Sequence, residues 1–176
     1  MTGDRIEGMS KLQPPDAHYL VAAIGWLELG NHVEAGEEIA KIAPAFITHP
    51  DVLEVRWAVC ASGKSWEAAL LVAEILVDKA PERDSGWIHR AYAARRVKDG
   101  SLQKAWEALR PAFEKFPKTS MIPYNLACYA AQFGRLEEAW QWLHKAMAAA
   151  GDTQHIKRMA LADADLQTLW ERIRGL

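Results

Sequence analysis

The sequence predicts an all-α fold: about four helix–turn–helix repeats in one stack, closed by a C-terminal capping helix. Three observations predict it. Ala35, Ala69, Ala105 and Ala139 recur at intervals of 34, 36 and 34 residues. A turn containing glycine precedes each, at Gly30, Gly63, Gly100 and Gly134. Upstream of each turn lies an apolar run of helical length, over 17–29, 52–61, 87–97 and 122–133. A period in the thirties with a break in the middle is the mark of a repeat array, in which each unit buries its apolar face on the next.

From the N-terminus, residues 1–13 are polar and glycine-containing, and read as a disordered tail. Residues 14–151 hold the repeats, at about 16–48, 49–81, 82–117 and 118–151. Each first helix has a start signal: Pro15 and Asp16, Pro50 and Asp51, Asp84 and Ser85, then Ser120 and Pro123. In each second helix, further small or apolar residues stand four and seven places after the alanine. They are Ile39 and Ile42, Ala73 and Leu76, Leu109 and Ala112, and Leu143 and Ala146. Positions so spaced share one helix face, and the alanine lets that face approach its neighbour closely. Pro81 and Pro117 end the second and third units, because proline cannot supply the next backbone donor. The first unit has no proline in that phase and instead has an irregular stretch, 43–50. Its neighbour has Trp57 where a small residue is expected and its glycine displaced to Gly63, which predicts atypical packing there. Residues 152–176 do not repeat the pattern. Ile156, Met159, Ala160, Leu166, Leu169, Trp170 and Ile173 make them amphipathic, as a cap over the last apolar face must be.

The fourth unit carries the features of the tetratricopeptide repeat most fully: Leu126 and Ala127, Gly134, Leu136, Ala139, Leu143 and Ala146. The third adds Ala93, Gly100, Ala105, Ala112 and Pro117. Over residues 16–150 the chain resembles the tetratricopeptide repeat (TPR) family. The resemblance implies a right-handed α-α superhelix whose first helices line a groove for a peptide or a partner's helix.

Composition narrows the function. Half of the residues are hydrophobic and 25% are charged, as in ordinary globular chains. No apolar run approaches the roughly 18 residues of a membrane span, and the first ten residues lack the apolar core of a secretory signal. Cys60 and Cys128 stand alone among apolar neighbours, as buried small hydrophobes do. A cytoplasmic location is expected. The net charge of −2 argues against a nucleic-acid binder. It is unevenly spread, with 6 basic and 12 acidic residues over 1–81 but 9 and 5 over 82–118. The basic stretch is either a solvated face or a surface for an anionic partner.

Candidate chemistry is sparse. Residues 58–65 fit the loosest form of a phosphate-binding loop, ending in Gly63, Lys64 and Ser65. Such a loop must leave a strand and open a helix. Here the preceding residues belong to a helix, so Gly63 and Lys64 turn the corner of a repeat and Ser65 is placed to cap the next helix. Asp163 and Asp165 are far short of a calcium loop and suit a helix cap. The histidines (18, 32, 49, 89, 144 and 155) have no ligand spacing, and His32 reads as packing. No nucleophile has a local base. No metal, no cofactor and no catalysis are expected.

By the resemblance, the inward positions are Trp87, Arg90, Ala94, Val97 and Lys98 in unit three and Met121, Tyr124, Asn125, Cys128 and Gln132 in unit four. Leu20, Ile24 and Leu27 correspond in unit one. The candidate peptide-binding groove is Trp87, Arg90, Lys98, Tyr124, Asn125 and Gln132. Arg90 could pair with a carboxylate, Asn125 with a peptide bond, and the two aromatics offer flat apolar area. Asn125 equally suits a bond to the adjacent repeat, and Trp87 suits packing on Pro81 or unit two. The other tryptophans (26, 66, 106, 140, 142 and 170) fall at packing or cap positions. The expected function is a non-enzymatic scaffold or adaptor that binds a protein or peptide, possibly acidic, without nucleic acid or membrane. The alternatives are a small export chaperone or a self-associating assembly subunit whose groove holds another copy or its own N-terminal tail.

Overall fold

The computed structural model describes residues 11–176, which are helical with no strand among them. The chain divides into two compact units at Glu82. In the first, α1 (Asp16–Glu28) pairs with α2 (His32–Ala40), and α3 (Pro50–Ser62) with α4 (Trp66–Lys79). In the second, α5 (Asp84–Ala94) pairs with α6 (Leu102–Leu109), and α8 (Met121–Gln132) with α9 (Leu136–Ala149). A short α7 (Ala112–Lys115) comes directly after α6.

The four alanines behave as the spacing requires: Ala35, Ala69, Ala105 and Ala139 are all fully buried. So are Ala73, Leu76, Leu109, Leu143 and Ala146 from the next turns of the same helices, and Ala112 of α7. A longer side chain at a fully buried alanine would have to displace its neighbours, so these positions favour close packing of each pair.

Three of the four turns have the same hydrogen-bonded closure. The amides of Asn31, Ser65 and Arg135 reach back to the carbonyls of Trp26, Cys60 and Ala130 at 2.8–2.9 Å. The amides of Gly30, Lys64 and Gly134 reach those of Leu27, Ala61 and Ala131. This double closure needs a left-handed residue just past the helix. Gly30 (φ 77°) and Gly134 (φ 75°) supply it without steric cost; in the second repeat Lys64 (φ 56°) does so instead. Gly63 stands one place earlier at φ −78°, against the imidazole of His32. Residues 58–62 close α3, so this stretch has the wrong context for a phosphate loop. Ser65 occupies the N-cap position of α4, but its side chain makes no capping bond, unlike Asn31 and Ser101.

The third turn differs. The sequence predicts a helix to residue 97, but α5 ends at Ala94, and Arg95–Asp99 wind down irregularly. Gly100 is tucked so tightly that a Cβ there would stand 2.7 Å from the carbonyl oxygens of Ala94 and Val97. Pro111, which lacks an N–H, then divides the second helix into α6 and α7.

Residues 1–10 of the expected disordered tail lie outside the described residues. Leu12, in its last part, is buried with Leu20 and Ala35. The C-terminal segment folds as three short pieces rather than one helix: α10 (Thr153–Ala162), a 3-10 turn (Ala164–Leu169) and α11 (Trp170–Arg174). Ile156, Ala160, Leu166, Leu169 and Ile173 are buried with α8 and α9 residues in one core. Arg172 forks onto Glu137 of α9, and the Trp170 indole N–H donates to the Ala160 carbonyl at 2.9 Å.

Left-handed backbone costs a side-chain-bearing residue roughly 1–2 kcal/mol relative to glycine. Lys64→Gly is therefore expected to raise unfolding stability by about 1 kcal/mol in urea titration, and Gly134→Ala to lower it by a similar amount.

Candidate functional site

In the second unit Trp87 and Arg90 lie on α5, Lys98 in the turn after it, and Tyr124, Asn125 and Gln132 on α8, and most of them already have partners within the chain. Trp87 lies edge-on to Phe116, with centroids 6.4 Å apart. The Arg90 guanidinium stacks over the Trp87 ring at 4.8 Å, and its Nη2 donates to the Ala108 carbonyl at 2.9 Å. Ala108 is in the last turn of α6, where carbonyls have no partner in the helix. Arg90 thus braces α5 against α6. Asn125 Nδ2 donates to Met121 O, one turn back in its own helix. Lys98 is exposed in the irregular turn. Among the unit-one positions, Leu20 is in the core and Ile24 remains exposed.

Tyr124 and Gln132 meet a segment that the repeat register does not place beside them. Asp163, which joins α10 to the 3-10 turn, and the first two residues of that turn, Ala164 and Asp165, lie against α8. The Tyr124 hydroxyl donates to Asp163 Oδ2 at 3.0 Å, and the Cys128 thiol to the same oxygen at 3.5 Å. The other Asp163 oxygen accepts from the Asp165 amide at 3.0 Å, which is the cap expected of it. The Asp165 carboxylate accepts from both terminal guanidinium nitrogens, Nη1 and Nη2, of Arg95. Gln132 Nε2 donates to the Asp165 backbone carbonyl at 3.0 Å. Two carboxylates and one carbonyl of a three-residue stretch are thus held by four side chains.

The electrostatics fit this seating. Burial, with the Asp163 charge added, pushes the Tyr124 hydroxyl and the Cys128 thiol far above their usual values, and the Cys128 thiol adds to the shift of Tyr124. Both stay protonated, and so remain donors to Asp163, throughout the physiological range. Burial raises Tyr129 to about 12. Arg95 is held more firmly charged, chiefly by its hydrogen bonds to Asp165.

Beside the seated segment lies a recess of about 190 Å³. Tyr92, Arg95, Arg96, Asn125, Cys128 and Tyr129 line it, with Asp163 and Asp165. Arg96 stacks on Tyr92 and donates to its carbonyl at 2.9 Å. Repeat spacing could not reveal Arg95: it sits where α5 departs from the repeat. Its partner is 70 residues away in the non-repeating tail. The available signal was compositional, the Arg95–Arg96 pair in the basic stretch and the Asp-Ala-Asp of the tail. Among the described residues no group of His, Cys, Asp and Glu is disposed to hold a metal ion, and no helix is long and apolar enough to cross a membrane.

The Arg95 and Asp165 side chains are only 24% and 26% exposed, so their pairing is partly desolvated. A double-mutant cycle with Arg95→Ala and Asp165→Ala is expected to give a coupling of about 1–2 kcal/mol in thermal or urea unfolding; a value near zero would mean the pair is only proximal.

No protein-family profile matches the chain, and no curated protein matches it. Among solved structures it is similar to the MamA RS-1 ArsTM double mutant. The two are 20% identical over 77% of this chain and 75% of that one, with a TM-score of 0.65. At that identity the likeness concerns the fold, and the chain has an all-α, TPR-like helical-repeat solenoid fold.

Proposed function

We propose that the protein is a non-enzymatic protein-interaction module, and that the α5–α8 face of its second unit grips a short acidic segment of a partner. The observation that carries this reading is the seating of Asp163–Asp165. The face already holds a stretch of chain by a forked arginine, a tyrosine hydroxyl and a glutamine on a backbone carbonyl. These are the contacts that read an acidic peptide: charge-assisted forks for carboxylates, an amide donor for the backbone. Arg96 and Asn125 in the adjoining recess extend the same chemistry beyond the seated residues. In the free protein the chain's own segment holds the place, so a partner competes with it. Of the groove residues expected from the repeat register, Tyr124, Asn125 and Gln132 stay in this site. Trp87 and Arg90 brace α5, and Arg95, rather than Arg90, is the arginine that forks onto a carboxylate.

A labelled peptide with the sequence of residues 160–168 tests it by fluorescence anisotropy. The wild-type chain should bind weakly, because the intramolecular copy has the higher effective concentration. Asp163→Ala/Asp165→Ala should bind at least tenfold more tightly, and adding Arg95→Glu should remove the gain. If the folded double variant binds no better than wild type, the face is a structural seam and the reading fails.

A further inference from the structure

The first unit has a recess of its own, independent of the face proposed above. The helices α2, α4 and α9 begin in the same phase, three residues before Ala35, Ala69 and Ala139. Yet α2 runs for 9 residues, whereas α4 and α9 run for 14. Pro44 is the cause. The residue before a proline is driven out of helical geometry, and Ala43 is extended at ψ 141°. The buried Asp16 carboxylate fixes the departure by accepting the Ala43 amide at 2.7 Å. The last turn of α2 is therefore missing, and the chain returns to α3 through the Pro44–Phe46 turn.

The part of α3 that this turn would have covered faces a cavity of about 320 Å³. Its walls are Ile39, Ile42, Val52 and Val59, with Ile47 at the mouth, 44% exposed. Arg56 is the cation of this apolar lining. Its Nη1 donates to the Ile47 carbonyl at 3.2 Å, and among the described residues no carboxylate pairs with it. A guanidinium carries five N–H donors in a fixed fork and cannot be neutralised by losing its proton. Held half-buried at an apolar cavity, it calls for an anion whose remaining body is hydrocarbon. At about 30 Å³ for each water-sized group, the space admits roughly ten heavy atoms.

The geometry points to a binding site for a medium-chain aliphatic carboxylate, its chain among Ile39, Ile42, Val52 and Val59 and its carboxylate on Arg56. The size is at the lower end for small-molecule sites, and the single convergent charge among apolar walls is their usual composition.

Octanoate, with ten heavy atoms, is the probe. Titrated into the full chain and followed through isoleucine and valine methyl resonances by NMR, it should give saturable shifts confined to the cavity walls. Octanol and acetate, each lacking one half of the recognition, should bind at least tenfold more weakly. Arg56→Gln should weaken octanoate at least tenfold, and Arg56→Lys should retain most of the affinity. Cys60→Leu, which fills the cavity from α3, should abolish the shifts while leaving Tm unchanged or higher. No saturable shift at millimolar octanoate would overturn the site. So would octanol binding as tightly as octanoate, or undiminished affinity in folded Arg56→Gln.

Discussion

Each helix pair includes an alanine with no exposed surface, in the first turn of its second helix. A larger residue there would force the axes apart, at a cost of typically 1–3 kcal/mol for overpacking. The spacing set by Ala35, Ala69, Ala105 and Ala139 governs the rest of each repeat. It fixes where the turn must reverse the chain, which turns of the second helix are buried, and which face of each first helix is left uncovered by its partner. Leu143 and Ala146 are buried because Ala139 is, and Tyr124 reaches Asp163 because α8 is held against α9 at that distance.

Both proposed binding sites lie where the chain departs from this rule. Pro44 cuts α2 short and opens the Arg56 cavity. The early end of α5 puts Arg95 and Arg96 in an irregular turn rather than on a helix, and from there Arg95 can fork onto Asp165. A strictly regular array would have covered the first position and turned the second elsewhere. Regular repeats supply rigidity, and the exceptions supply polar groups at defined places.

Legibility in the sequence divides along the same line. The period, the turn positions and the buried alanines were legible, because a helix face leaves a spacing of four and seven and a left-handed turn leaves a glycine. The tail could be recognised as a cap from Ile156, Leu166 and Ile173. Its path could not, since nothing local says that Asp163–Asp165 will lie against α8. The pairing of Arg95 with Asp165 is a tertiary contact between a repeat and a non-repeat segment, and periodicity carries no information about it. Arg90 illustrates the converse. Register placed it on the inward face, but its guanidinium found the open carbonyl of Ala108 in its own repeat, a partner that becomes visible only when α6 is seen to end at Leu109. Lys64 was hidden for a simpler reason: the glycine beside it drew the turn one residue too early.

Amide hydrogen exchange of the full chain, resolved by NMR, tests the seating of the acidic segment most directly. The amides of Asp165 and Leu166, bonded to the Asp163 side chain and carbonyl respectively, should be protected to nearly the same degree as those of α8. Arg95→Ala should lower their protection at least tenfold while leaving α8 itself protected. Free exchange of Asp165 and Leu166 in the wild-type chain would show that the segment is not held on this face, and the account of the second unit's binding site would fall with it.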